Sequence, residues 1–325
     1  MHDTGYVSAH AFYQGDLDTL IVQGLPGILD DLRGRRLVDD FFFLRYWDGG
    51  THLRLRVRPG PDTERRLVED LITSRFSEFF ARSPANHTMS QEEYGALAAS
   101  LAEWEGVPSH VEQLYPNNSV ALIPYQPEHE RYGRGASLAA AERHFGDSSR
   151  IALAMLARGL SPDERTTAAA SMIMLAWFSV EPDPGRLRRA ITVSRYTDTL
   201  LGKEKDLVQR GHGQVVRLAR HMFALSAHAP GLRNDGLLVR WARSAATLVD
   251  ELAAEVASGA FSPPSRGWEG SEAASTIEPR LRVLPVIDIC AHLLCNRLGV
   301  SIAEEAVIRV RLLNALETLS MEDVT

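Results

Sequence analysis

Two hydrophobic rhythms divide the chain. Up to residue 135, short apolar runs bounded by turn residues predict strands alternating with helices; beyond it, apolar residues recur at helical spacing. Residues 7–13 predict a first strand, Leu17 to Leu32 a helix interrupted near Pro26, and Phe41–Trp47 with Thr51–Arg58 the two arms of a hairpin turning at Asp48-Gly49-Gly50. An amphipathic helix over Thr63–Phe80, a further helix over 90–104 and a short strand at Val120–Ile123 complete this half. The helical half reads as helices over 137–145, 148–158, 162–179, 184–201, 206–228 and 235–257. A Ser/Gly/Pro-rich run, Ala257–Thr276, reads as a mobile loop or lid before a final strand and two C-terminal helices. The expected class is α+β in a single domain over 1–325, with a sheet-containing part over 1–135 and a mainly helical part over 136–325 packed against it.

The first of the C-terminal helices is the most distinctive. Ile287–Leu298 is apolar, starts after Pro285 and stops at Gly299, and Ser301 with Glu304 spells a capping box for the helix that follows. His292 and Asn296 lie four residues apart and so share a face. An ionisable ring in so apolar a segment needs a partner, structural or chemical.

Composition narrows the class of protein. The 325 residues are 45% hydrophobic and 24% charged with a formal charge of −7, which describes a folded, mildly acidic chain and counts against non-specific nucleic-acid binding. No run approaches the length of a membrane span and the N-terminus lacks a secretion pattern, so the expected location is cytoplasmic. Cys290 and Cys295 are too few for a disulfide framework, and His212, His221 and His228 lack ligand spacing, so no metal is expected.

Charge is concentrated in two places. On the return strand of the hairpin, His52, Arg54, Arg56 and Arg58 share one face and Leu53, Leu55 and Val57 the other. A cationic row with no interleaved acid suits a bound carboxylate, and Arg45 on the partner strand joins it if the register allows. The second place is the loop Tyr125–Gly135, where Glu128, Glu130, Arg131 and Tyr132 gather among Pro and Gly and suit something zwitterionic.

Three stretches then stand together: Phe41 to Arg56 with its His-Leu-Arg-Leu-Arg ending, Tyr125-x-Pro-Glu-x-Glu-Arg-Tyr-Gly133, and His292-Leu-Leu-Cys-Asn-Arg-Leu-Gly299. In this order and spacing the chain resembles the C-terminal elimination domain of class I lanthipeptide dehydratases, which also occurs as a separate protein in thiopeptide pathways. The likeness runs over nearly the whole chain, including Ala139–Ser149; it departs at Arg134, where the family carries a second glycine.

The resemblance implies β-elimination on a precursor peptide made of leader and core. A glutamylating partner subunit esterifies Ser or Thr with glutamate drawn from glutamyl-tRNA, and the elimination domain expels that glutamate to leave dehydroalanine or dehydrobutyrine. No metal or organic cofactor is indicated, and composition and hydropathy lead to the expectation of no direct contact with nucleic acid and none with a membrane. Residue by residue, Arg54, Arg56 and Arg131 match positions that serve the glutamyl group, and His292 matches the acid or base. Glu128 matches an acidic position suited to the glutamyl amine, and Arg45, His52, Tyr132 and Asn296 are expected to complete the substrate site.

Two other readings use the same peptide substrate. A pyridine synthase of the same fold would join two dehydroalanines in a formal cycloaddition and would not need arginines that grip glutamate. A non-catalytic subunit that only presents the precursor would not need His292.

Overall fold

The computed structural model describes residues 5–105, 109–191, 211–233, 235–264 and 277–322, and the chain divides into two compact units, Met1–Pro127 and Glu128–Thr325. The class is α+β, as the alternation of rhythms predicts.

In the first unit, strands β1 (Val7–Phe12), β2 (Val38–Tyr46), β3 (His52–Pro59) and β4 (Ser119–Leu122) form an antiparallel sheet in the order β2-β3-β1-β4. Gly49 and Gly50 take φ of +85° and +110° in the β2–β3 turn, a conformation that favours glycine. Side-chain alternation puts Ala9, Ala11, Phe41, Phe43, Leu53, Leu55 and Val57 on one face, all buried, on the side covered by α3 (Arg65–Arg82). The helix expected to break near Pro26 continues instead. Its first turn α1 (Leu17–Thr19) passes through a π-helical turn, Leu20–Gly24, into α2 (Leu25–Gly34). The wide turn falls just ahead of Pro26, whose ring and missing N–H do not fit a regular α-helical ladder to the turn before it. Helix α4 (Gln91–Glu105) completes the unit.

The second unit opens with a short helix inside the expected loop, α5 (His129–Tyr132), followed by α6 (Ala136–Leu156), α7 (Pro162–Val180), α8 (Pro184–Ala190), α9 (His212–His228), α10 (Leu237–Ala257), α11 (Pro279–Arg282), α12 (Leu284–Leu298) and α13 (Ile302–Glu322). Helix α7 is buried continuously from Ala169 to Phe178 and packs against α9, α10, α12 and α13, so it forms the centre of this unit. The indole N–H of fully buried Trp241 donates to the Met172 carbonyl at 2.8 Å.

Three sequence expectations fail here for physical reasons. The helix expected to restart at Asp147-Ser148 is one helix, α6, because those side chains find tertiary partners instead of capping. Ser148 and Ser149 each accept a hydrogen bond from buried Arg297 at 3.1 Å, and Asp147 accepts one from Ser244 at 2.9 Å. The final strand expected before the C-terminal helices is the short helix α11. Helix α8 ends at Ala190, and residues 192–201 and 206–210 of the expected helices, like 265–276 of the expected lid, lie outside the described residues.

The bracketed helix is α12. Gly299 closes it at φ +74°, and Ser301 and Glu304 form the predicted box, with Ser301 N–H donating to Glu304 at 2.8 Å and Glu304 N–H to Ser301 Oγ at 3.3 Å. Among the described residues no helix is long and apolar enough to cross a membrane, and no cluster of three or more metal-ligating side chains occurs.

Candidate functional site

The residues singled out from sequence fall in both units. On the sheet face opposite α3, the ladder aligns Ser8 with Arg56, His10 with Arg54 and Phe12 with His52 from β1, and Phe42 with Arg56 and Tyr46 with His52 from β2. Residues directly opposite in a ladder share a face, so His52, Arg54, Arg56 and Arg58 do form one row, flanked by His10, Tyr46 and Phe42. Arg45 does not join them. It lies opposite Leu53, hence on the other face, where it pairs with Asp18 at the start of α1.

Several contacts of the row are to neutral groups. Arg54 donates from Nε to His52 Nε2 at 3.2 Å and stacks its guanidinium 3.3 Å from the centre of the Tyr46 ring. Arg56 donates to His10 Nε2 at 3.1 Å and lies 5.6 Å from the Tyr125 ring. Arg58 donates to the Tyr6 hydroxyl at 2.6 Å, and Asp40 stands opposite it across the ladder.

These bonds fix the state of both imidazoles. Because arginine only donates, each histidine spends the Nε2 lone pair on it and carries its proton on Nδ1. At His52 that proton goes to the Gly50 carbonyl at 2.7 Å. The two rings stack 4.9 Å apart and are almost wholly buried. Burial, with Arg54 and Arg56 adding to it, brings the His52 pKa down to about 3 against the opposing pull of the Gly50 carbonyl. Burial and Arg56 push His10 further down still. His52 and His10 are therefore neutral acceptors, unsuited to act as bases near neutral pH. Arg56 is 7% exposed; burial and then Arg54 lower its pKa to about 9, and its Nη1 has no hydrogen-bond partner among the described residues.

In the second unit, Glu128 and Arg131 pair with each other at 2.7 Å across α5, both about half exposed. Tyr132, expected to line the substrate site, is instead buried at 3% exposure with its ring edge-on to Phe145 of α6. It seats α5 on the helical core, and burial, with Cys290 of α12 nearby, raises its hydroxyl pKa well above the usual value. The departure at Arg134 is accommodated because the glycines that matter flank it: Gly133 and Gly135 take φ of +75° and +58°, while Arg134 does not adopt a positive φ.

His292 and Asn296 sit one turn apart on α12, as their spacing requires. The His292 side chain is 43% exposed, and its Nδ1 lies 2.7 Å from Oε2 of Glu305 on α13. Burial alone would raise the Glu305 carboxyl; Arg309 and His292 outweigh it and bring the pKa down to about 2. Arg309 is shared with Asp288, which also accepts from the Trp177 indole at 2.8 Å. Sequence reading missed Glu305, because it adjoins the capping Glu304; its i,i+4 spacing to Arg309 was the available signal. His10 was missed as well, since only strand pairing brings it beside Arg56. Cys290 and Cys295 are buried and free, and burial pushes the Cys290 thiol up to about 12, which makes it inert.

A groove of about 390 Å³ between α6 and α10, lined by Arg143, Asp147, Arg240, Arg243 and Glu251 among others, contains none of the residues expected to act.

Several solved structures share the fold. Among them are a pyridine synthase, TbtD, from thiomuracin biosynthesis (TM-score 0.71, 16% identity, covering 98% of this chain and 99% of that one); TsrL (TM-score 0.58, 15% identity, 98% and 95%); and the tRNA-dependent lantibiotic dehydratase MibB from Microbispora sp. 107891 (TM-score 0.54, 15% identity). The match takes in 99% of this chain and 29% of MibB. No curated protein matches the sequence. The model of the lantibiotic biosynthesis dehydratase C-terminal family matches residues 7–316, so the chain belongs to that family, one of ribosomal-peptide natural-product biosynthesis.

Proposed function

We propose that this protein eliminates glutamate from glutamylated Ser or Thr residues of a ribosomal precursor peptide. The base takes the Cα proton, the electron pair forms the Cα=Cβ bond, and the Cβ–O bond breaks so that glutamate leaves as a carboxylate. The product is dehydroalanine or dehydrobutyrine. His292 is the base in this reading, and Arg54, Arg56 and Arg131 hold the glutamyl group and offset the carboxylate charge that develops as it departs. A separate glutamylating subunit, using glutamyl-tRNA, supplies the ester.

The observation that carries the reading is Arg56. Its hydrogen-bond partner is a neutral imidazole, and one of its buried donors has no partner among the described residues. A buried guanidinium in that state is costly, and a carboxylate is the group that best relieves it.

A second reading is ring closure between two dehydroalanines, supported by the fold shared with the thiomuracin pyridine synthase over 99% of that chain. That chemistry expels no carboxylate and leaves the arginine row without a task.

Mass spectrometry of a glutamylated precursor peptide incubated with the protein separates the two. Loss of glutamate with a new dehydro residue, abolished in His292→Ala and Arg131→Ala variants that still fold, is the expected result. An intact ester overturns it; macrocyclisation of a peptide already carrying two dehydroalanines would then establish the second reading. Elimination undiminished in His292→Ala would remove that residue from the chemistry.

A further inference from the structure

We infer that Glu305 is a positioning residue for His292: its carboxylate accepts a hydrogen bond from Nδ1–H of the ring, holds the proton on that nitrogen, and leaves Nε2 as the basic one. The inference rests on the role given to His292 above and supplies what that role lacks, a reason for one ring nitrogen to act.

Both oxygens of Glu305 are engaged. Oε1 accepts from Arg309 Nε at 2.7 Å, and Oε2 faces His292 Nδ1 at 2.7 Å. A carboxylate pressed against a guanidinium is ionised, and an ionised carboxylate only accepts. Nδ1 must therefore carry the proton, and the lone pair of the neutral ring lies on Nε2. That nitrogen makes no hydrogen bond among the described residues, on a side chain 43% exposed, whereas Glu305 itself is 4% exposed.

The support extends one layer outward. Arg309 also donates to the Asp288 side chain and, from Nη2, to the Asp288 carbonyl at 3.3 Å, while Asp288 is held by Trp177 of α7. The cluster thus ties α7, α12 and α13 together around one imidazole. Cys295 of α12 is the other titratable group facing Glu305, and burial keeps it a neutral thiol. Several charged groups that α7, α8 and α9 direct at these two helices are engaged elsewhere, and Arg188 of α8 keeps a buried Nε without a hydrogen-bond partner among the described residues. Arg165 donates to the Leu298 carbonyl, Arg186 of α8 pairs with Glu181 and Glu278, and His212 and Arg220 of α9 meet Thr318 and Glu322 at the far end of α13. On the other side of α12, Arg297 faces α6, and Arg280 of α11 pairs with Asp250 of α10.

The test is Glu305→Gln in the full chain, read by long-range ¹H–¹⁵N correlation of the imidazoles. Arg309 keeps the single amide oxygen of Gln, which turns the NH₂ group toward His292 Nδ1. A donor there forces the proton onto Nε2, so the tautomer should reverse with no change in side-chain shape. In the parent, Nδ1–H is expected; an Nε2–H parent spectrum overturns the inference whether or not the variant folds. In the variant, reversal should accompany a fall in kcat of about 100-fold or more, with KM changed much less. Glu305→Asp, which keeps the acceptor, should retain the parent tautomer and recover part of the rate. A Gln variant that keeps Nδ1–H and the parent pH–rate profile would sink the idea. Should the parent show no elimination at all, the reading of function fails while the tautomer measurement still decides this one.

Discussion

Arg56 and His10 share a hydrogen bond of 3.1 Å in which the guanidinium donates and the imidazole accepts. The bond exists only while His10 is neutral, so each residue sets the state of the other. In Arg56→Leu, the His10 pKa should rise yet remain below its ordinary 6.5, because burial, the larger cause of its depression, persists. Histidine titration by NMR reads this directly; an unmoved pKa would show that the two are not coupled. The same variant should lose elimination by about 100-fold or more, since a charged donor at the developing carboxylate is removed.

Stability should fall as the solution is acidified below the ordinary histidine value. His10 and His52 have folded pKa values below 6.5, and the unfolded chain therefore takes up protons that the folded chain refuses. Their contribution is fully present above 6.5 and is lost as pH falls, until it passes the folded value, about 3 for His52. Each contributes a slope of about 1.4 kcal/mol per pH unit in that window. Glu305 adds a further loss as pH drops from 4.5 toward 2. Urea midpoints at pH 7.5 and pH 5 should differ in the parent, and the difference should shrink in His52→Gln. Equal midpoints in the parent would contradict the neutral buried pair.

Arg45 and Arg54 should respond oppositely to the same substitution. Arg45→Met breaks the mostly buried pair with Asp18 on the far face of the sheet; stability should fall by about 1.5–3 kcal/mol while turnover of the folded protein stays within about twofold of the parent. Arg54→Met acts within the cationic row and should depress turnover strongly while the fold holds. Loss of turnover in Arg45→Met would mean that the functional face was misassigned.

The loop that carries Glu128 and Arg131 gives a graded prediction. A Cβ at Gly133 would come within 2.8 Å of the Phe261 ring and 2.9 Å of Ser137 Oγ, at a φ of +75°. Gly133→Ala should therefore cost about 2–3 kcal/mol, combining backbone strain with a clash in a packed site. At Gly135 the φ is +58° and a Cβ meets nothing within 4 Å, so Gly135→Ala should cost only about 1 kcal/mol. Thermal melts of the two variants check the order, and equal costs would mean that Phe261 does not close on the loop.

Much of this was legible in the sequence because local chemistry decided it. The Asp48-Gly49-Gly50 turn, the Pro285 and Gly299 brackets of α12 and the Ser301–Glu304 box are read within a few residues and form as read. Alternation along β3 put His52, Arg54, Arg56 and Arg58 on one face. Tertiary partners were invisible, and they account for what the sequence misled on. Asp147, Ser148 and Ser149 look like a helix start, yet serve Ser244 and Arg297 from inside α6. The side of the sheet taken by Arg45 depended on a one-residue register, and Tyr132 looked like a loop residue until Phe145 covered it.

Water solvates a cation by turning lone pairs toward it, and leaves its charge intact; a carboxylate cancels it. At Arg56 the sheet takes the first course, with an imidazole lone pair and, 5.6 Å away, the face of Tyr125 standing in for a hydration shell. A guanidinium so solvated keeps its far field, and in a medium less polarisable than water that field is weakened less at every distance. The histidines of this face are best regarded as its solvent.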